Sequence, residues 1–189
     1  MLVDDGEATC GNPCPIVDRK TGAIVLLITK NGRDDAEFKI MRGTAPPRTA
    51  WVLRSEDDGV TWSAPREISA QVRTPAMRWY ATGPGHGLQL KDGRLIAPCD
   101  HSTGPTPDEV HSHVIYSDDA GATWALGGVL PGRTDESIAE ELAASGTSRC
   151  GICGCRIRWR RASSALTRLR VVRLLPTHPP RTWIRPRSI

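Results

Sequence analysis

The sequence predicts an all-β fold built from a repeated antiparallel unit, and three features carry that expectation. The pattern Ser-x-Asp-x-Gly-x-Thr-Trp occurs twice, at residues 55–62 and 117–124, with its copies 62 residues apart. Each copy follows a β-like run, Thr49 to Leu53 and His113 to Tyr116. No long amphipathic helix stands out before the last quarter of the chain. A repeat at this period means one structural unit used at least twice.

Each copy reads as a hairpin turn. Asp57 and Asp119 can accept hydrogen bonds from backbone N–H groups in the turn, and Gly59 and Gly121 supply a positive φ. Thr61-Trp62 and Thr123-Trp124 then restart a strand with a large apolar anchor, while Ser55 and Ser117 close the preceding one.

The remaining elements follow from short apolar or alternating runs bounded by Gly, Pro and Asp. The first unit is expected to have strands at Cys14 to Asp18, Ala23 to Lys30, Thr49 to Arg54 and Ser63 to Ile68. Ala23 to Thr29 is apolar on both faces, as a strand covered on two sides would be. Asn31 to Pro47 is polar, bears Gly and Pro, and reads as a loop. The second unit has Gly87 to Leu90, Arg94 to Cys99, Val110 to Tyr116 and Trp124 to Val129, and a third begins near Glu136.

Charge divides the chain. All 21 acidic residues lie at or before Glu141, whereas residues 142–189 carry 11 Arg and no Lys, Asp or Glu. The first part, with 14 basic residues, has a net charge of −7 and the tail +11. A basic tail is often an electrostatic arm for nucleic acid or an anionic membrane. Met1-Leu2-Val3-Asp4-Asp5-Gly6 shows no basic n-region and no apolar h-region, so no signal peptide is visible. No apolar run reaches the ~20 residues of a membrane span. The compartment stays open.

The repeated octapeptide is the Asp box, and the chain resembles the sialidase (neuraminidase) family over about residues 4–143. Besides the boxes, the resemblance rests on Gly11-Asn12-Pro13-Cys14-Pro15-Ile16-Val17-Asp18, on residues 79–90 around Gly83-Pro84-Gly85-His86-Gly87, and on Asp92-Gly93-Arg94-Leu95-Ile96-Ala97-Pro98. It implies part of a six-bladed β-propeller: two blades plus the start of a third. The boxes would sit at the rim and be structural. On this view residues 1–143 are the propeller fragment. Residues 144–189 are a disordered or spurious tail, with the composition of a GC-rich gene read out of frame.

The resemblance also implies chemistry. Sialidases release terminal sialic acid with retention of configuration. A Tyr paired with a Glu is the nucleophile, an Asp is the general acid/base, and three Arg clamp the carboxylate. The partners would be sialylated glycans, with no cofactor. Asp135-Glu136 to Glu141-Leu142 fits the segment supplying the Tyr-activating Glu, which makes Glu136 the catalytic candidate. Tyr80 and His86 are candidates for lining the axial pocket, though turn geometry alone explains the glycine loop. The acid/base Asp, the nucleophilic Tyr and the clamp have no counterparts, and Ile152 stands where the second Arg is expected. Arg19, Arg48, Arg54 and Arg94 read as solvated strand ends or surface charges.

Other functions stay in view. A non-catalytic glycan-binding propeller or pseudoenzyme would keep the boxes without the catalytic groups. The basic tail suggests nucleic acid, a less favoured partner than a glycan. Cys150, Cys153 and Cys155, or His111 and His113, could ligate a metal, but neither set completes a site, and no metal is expected.

Overall fold

The computed structural model describes residues 2–142, 147–152, 155–159 and 169–173, with side chains up to residue 141. It is all-β and antiparallel, with few and short helices. The first sheet runs in sequence order β1 (Ala8–Val17), β2 (Ile24–Gly32), β3 (Thr49–Ser55) and β4 (Arg66–Glu67). The second comprises β5 (Tyr80–Thr82), β6 (Leu88–Gln89), β7 (Leu95–Ser102), β8 (Val110–Ser117) and β9 (Ala125–Val129). Both β5 and β6 pair with β7, so they form one interrupted edge strand. The third joins β10 (Ser137–Leu142), β11 (Thr147–Ile152), β12 (Cys155–Trp159) and β13 (Leu169–Arg173).

Two expectations need correction. The segment read as a loop after β2 contains helix α1 (Glu37–Arg42). Ile40 anchors it in the interior, and Gly43, at φ 73°, closes it in the left-handed region. The second sheet begins earlier than expected, at Tyr80, and a further short helix, α2 (Ser69–Val72), precedes it. In the arginine-rich tail the described residues form β11, β12 and β13. Cys155-Arg156-Ile157-Arg158-Trp159 alternates apolar and charged residues with the period of a strand. Cys153 lies outside the described residues, so the three-cysteine metal reading does too.

Strand alternation assigns each face a neighbour. Val25 and Leu27 on β2 pack with Leu95, Ala97 and Cys99 on β7, in a core shared by the first two sheets. Leu26 and Ile28 point to the opposite face of the first sheet, with Leu53. Ile96 and Val114 point away from the shared core and meet Ala139 of β10. This is the two-sided burial anticipated for Ala23 to Thr29.

The two boxes have the same hydrogen bonds. In the first, the Asp57 carboxylate accepts from the Thr61 N–H at 2.8 Å, the Thr61 hydroxyl at 2.5 Å and the Ser55 hydroxyl at 2.9 Å. In the second, Asp119 accepts from the matching groups of Thr123 and Ser117 at 2.8, 2.5 and 2.8 Å. The Thr hydroxyl and N–H hold each carboxyl below its usual range. Asp58 and Gly59, like Ala120 and Gly121, are consecutive left-handed residues, which matches a tight hairpin to strand twist. The indole N–H of each Trp donates to the box glycine carbonyl, at 2.9 and 3.1 Å.

Surroundings differ where the turns do not. Trp124 is buried in the shared core, whereas Trp62 is half-buried on the far face of the first sheet. Trp124→Ala is therefore expected to cost about 3–5 kcal/mol, the range for a large core deletion. Trp62→Ala should cost clearly less. Urea unfolding of the two variants measures the difference, and equal losses would refute it.

Candidate functional site

Antiparallel order sends the boxes and the candidate site to opposite ends of the sheets. The boxes follow β3 and β8. At the other end lie the start of β1, the turn with α1 between β2 and β3, the start of β5, the end of β7 and the start of β10. That end gathers Asn12, Glu37, Arg48, Tyr80, Asp100, Asp135 and Glu136.

Arg48 organises it. The sequence placed this residue at a solvated strand end, yet it is 3% exposed. Its Nε donates to Asn31 Oδ1 at 2.9 Å, and its Nη1 donates to Asn12 Oδ1 at 2.6 Å and to the Tyr80 carbonyl at 3.3 Å. The guanidinium lies 4.2 Å from the Trp79 ring centroid. Asn12 sits at φ 51° in the bulge between Gly11 and Cys14, and its carbonyl accepts from the Thr82 hydroxyl at 2.5 Å. Burial lowers the guanidinium to about 10, opposed by the charges of Asp100 and Glu37. It stays a cation at neutral pH, held by neutral oxygens.

Asp100 is the counterpart. Burial raises its carboxyl to about 8, reinforced by Asp135, Glu136 and Glu37 and opposed by Arg48. Burial, then Asp135, also raises Glu37. Glu136 is exposed and directly precedes β10. Its position is fixed from behind. The Ser112 hydroxyl donates to the Asp135 carbonyl, and the Thr134 hydroxyl accepts from the Ser112 N–H at 2.9 Å. Arg133 pairs with Asp108 at 2.5 Å.

The other two candidates lie elsewhere. Tyr80 is a core residue with 0% exposure, and only its carbonyl meets the Arg48 group. Its phenol is bonded to His113 Nε2 at 3.0 Å, and His113 Nδ1 meets His101 Nδ1 at 3.0 Å. Its ring fills the wall between sheets and has no surface to offer a ligand. His86 is exposed, in the loop that interrupts the edge strand between β5 and β6, midway between the two ends. The geometry does not join it to Glu136. Gly83 and Gly85 supply positive φ to the turn, whereas Gly87 serves packing: a Cβ there would come within 2.5 Å of the Ile96 carbonyl and 2.6 Å of Ile16. Arg94, by contrast, is a surface residue as expected, paired with Asp118 at 2.6 Å.

Among the described residues no group of three or more His, Cys, Asp or Glu is arranged to hold a metal ion. His111 turns its Nδ1 to the Leu130 carbonyl at 3.0 Å, and His113 is spent on Tyr80 and His101. No described helix is long and apolar enough to cross a membrane.

Two outcomes follow from this network. Arg48→Ala takes the guanidinium donors from Asn12 Oδ1, Asn31 Oδ1 and the Tyr80 carbonyl, and should cost roughly 3 kcal/mol or more in chemical unfolding. Arg48→Lys should recover only part, since an ammonium cannot reproduce the planar fork. The histidines predict a pH dependence. Burial is the main cause holding His101 down to about 4 and His113 well below its usual range. Their contribution to stability is complete above the ordinary value near ~6.5 and is lost as pH falls toward about 4. Melting temperature should fall across that window, and fall less in His101→Gln. Asp100 acts in the opposite sense in both proteins and cancels in the comparison. Parallel curves would exclude the effect.

A family model described as a BNR repeat-like domain matches residues 1–172, reaching into the arginine-rich segment. Sialidase-3 of Bos taurus is 38% identical over 152 residues, which is 71% of this chain and 35% of that protein. Sialidase-4 of Homo sapiens is 35% identical over 134 residues, 64% of this chain and 27% of that one. The chain thus spans about a third of the length of the curated relatives it matches. Among solved structures, Hadza microbial sialidase Hz136 superposes with a TM-score of 0.70 at 27% identity, over 82% of this chain and 32% of that one. The intramolecular trans-sialidase of Ruminococcus gnavus, solved with oseltamivir carboxylate, shares the fold at a TM-score of 0.64 and 16% identity. That match covers 92% of this chain and 55% of the other.

Proposed function

The chain belongs to the BNR-repeat sialidase family, and we propose that it is part of an exo-α-sialidase, a glycoside hydrolase acting on terminal sialic acid of glycoproteins, glycolipids or oligosaccharides. The carrying observation is the position of Glu136. It stands at the end of the sheets away from the boxes, at the start of β10, near the buried Asp100.

In this reading the three sheets are consecutive blades of a six-bladed propeller, and β1, β5–β6 and β10 line its axis. Sheet order supports this: each described sheet is an antiparallel meander, and the box follows the third strand of the first two. The tail's strands pair onto β10 and extend the third sheet beyond the residue-143 boundary expected from composition.

Glu136 would accept the proton of a tyrosine nucleophile, making the phenol reactive toward the anomeric carbon. A neutral phenol suits that carbon, which carries a carboxylate that would repel a carboxylate attacker. Tyr80 and Tyr116 are not candidates for that nucleophile: Tyr80 is closed in the core, and Tyr116 stacks under Arg94 at the box end, 4.3 Å from it.

The 189 residues alone should release no detectable fluorophore from a fluorogenic sialoside, because they hold one of the catalytic positions. A chimera carrying residues 4–142 in the matched span of the bovine relative should hydrolyse the same substrate. Glu136→Gln in that chimera should lower kcat by ~10²–10⁴ without changing its melting temperature, as loss of a general base does. An active chimera indifferent to Glu136→Gln would remove the residue from the mechanism.

A further inference from the structure

The box end of the sheets holds an open cleft of about 850 Å³, inside the ~300–1,000 Å³ typical of ligand sites. Three turns line it: residues 18–20 after β1, residues 89–94 between β6 and β7, and residues 118–120 of the second box. Gln89 ties the first two together. Its side chain accepts from the Arg19 N–H at 2.8 Å and donates to Asp18 at 2.7 Å, and its carbonyl accepts from the Arg19 guanidinium at 2.6 Å. The Lys91 N–H donates to the Glu141 carboxylate at 3.1 Å. Glu141 stands five residues along the chain from Glu136, roughly 16 Å of extended strand. A ligand in this cleft is therefore remote from the candidate catalytic position.

The lining carries four carboxylates and four cations, and the bonding among them is one-sided. Both oxygens of Asp18 are engaged, by the Lys20 N–H, the Gln89 amide and the Thr21 hydroxyl. Both oxygens of Asp119 are engaged inside the box. Asp118 accepts from Nε and Nη2 of Arg94 at 2.6 and 2.8 Å, and Asp92 accepts from the Arg94 N–H at 3.2 Å. The cations are not matched in the same way. Arg19 gives its bond to a neutral carbonyl. Lys20 and Lys91 are exposed, and among the described residues no hydrogen bond or ion pair engages either ammonium. What the cleft leaves open is donors. We propose that it is a second glycan subsite, in which Lys20, Lys91 and Arg19 take the carboxylate of an acidic oligosaccharide. The sugar rests on the sialidase reading; the anion site rests on the cleft and its uncommitted donors.

The geometry suits a tether. The lining turns are fixed by their own hydrogen bonds, so little ordering remains for binding to impose. Two ammonium groups on flexible stems, one from each sheet, can close on a carboxylate from either side. Their exposure keeps each contact weak and screened by salt. Occupancy at the box end leaves the end bearing Glu136 open. A weak second site of this kind gains its effect on a surface that displays many acidic sugars, where one bound sugar raises the effective concentration of the others.

The test titrates the 189-residue chain with an α2,8-linked sialic acid trimer by ligand-observed NMR, at low and high salt. Lys20→Ala combined with Lys91→Ala removes two exposed groups that support no internal contact, so folding is not at risk. The pair of changes should weaken binding at low salt about tenfold, the combined size of two exposed charge contacts. High salt should bring the unaltered chain down to the level of the double variant. Maltotriose, a neutral trisaccharide, should bind neither protein. Maltotriose that binds as well as the trimer overturns the role of charge. Trimer binding that the double variant does not weaken overturns the cleft and leaves the sialidase reading standing. Trimer binding that needs the two lysines, alongside a chimera inactive on the fluorogenic sialoside, overturns the sialidase reading and leaves the cleft.

Discussion

The joint between the first two sheets is the contact on which the rest depends, and the second Asp box makes it. Trp124 fills the shared core while its backbone N–H donates to Gln71 Oε1 at 2.8 Å. Arg66 donates to the carbonyls of Gly121 and Ala122 at 3.1 and 2.8 Å, and Arg54 to that of Ala120 at 3.1 Å. Gly121 lies so near that a Cβ there would approach Val25 to 3.2 Å. A turn that is only local in the first copy thus becomes a tertiary element in the second. Its three carbonyls face outward because the box bonds its own N–H groups with Ser117 and Asp119. They accept from the neighbouring sheet, that of Gly121 in addition to the Trp124 indole. The motif supplies a turn and, with it, a ready set of acceptors.

That joint places the well-bonded end of the sheets at the boxes. Gln89 strengthens it, accepting from the Arg19 N–H at 2.8 Å and donating to Asp18 at 2.7 Å. The opposite end can then hold groups that weaken a fold: a buried cation without a carboxylate hydrogen bond and a buried carboxylic acid. Stability is drawn from one end of each strand and used at the other. The strands are long enough to separate the two roles, since β2 and β3 pair continuously from Ile24–Ser55 to Lys30–Thr49.

Much of this was legible in the sequence because it is local. The boxes are turn chemistry, and turn chemistry is written in neighbouring residues: Asp57 and Asp119 bind groups four positions away. The strands of the first unit were legible through their apolar runs. Glu136 is singled out only through resemblance, since one exposed carboxylate among many has no local signature. What was missed is nonlocal. Arg48 is buried because Asn12, Asn31 and Tyr80, from three strands, converge on it, and nothing beside it in the chain says so. Tyr80 was assigned toward a pocket because a tyrosine near a glycine loop fits either role; the His113–His101 partnership that commits it to the core lies some twenty to thirty residues on. Helix α1 escaped notice because one buried side chain, Ile40, and one capping glycine suffice to set it.

The use of neutral oxygens around Arg48 has an electrostatic consequence. Had a carboxylate filled the fork, the pair would present little net field. Held by amide and carbonyl oxygens, the guanidinium keeps its charge unspent in a region of low dielectric, where a charge acts over longer distances than in water. The span before residue 142 carries 14 basic and 21 acidic residues, so an anionic ligand approaches against the net field. The buried cation offsets part of that field where Glu37, Asp135 and Glu136 gather, and it does so without removing any acidic residue.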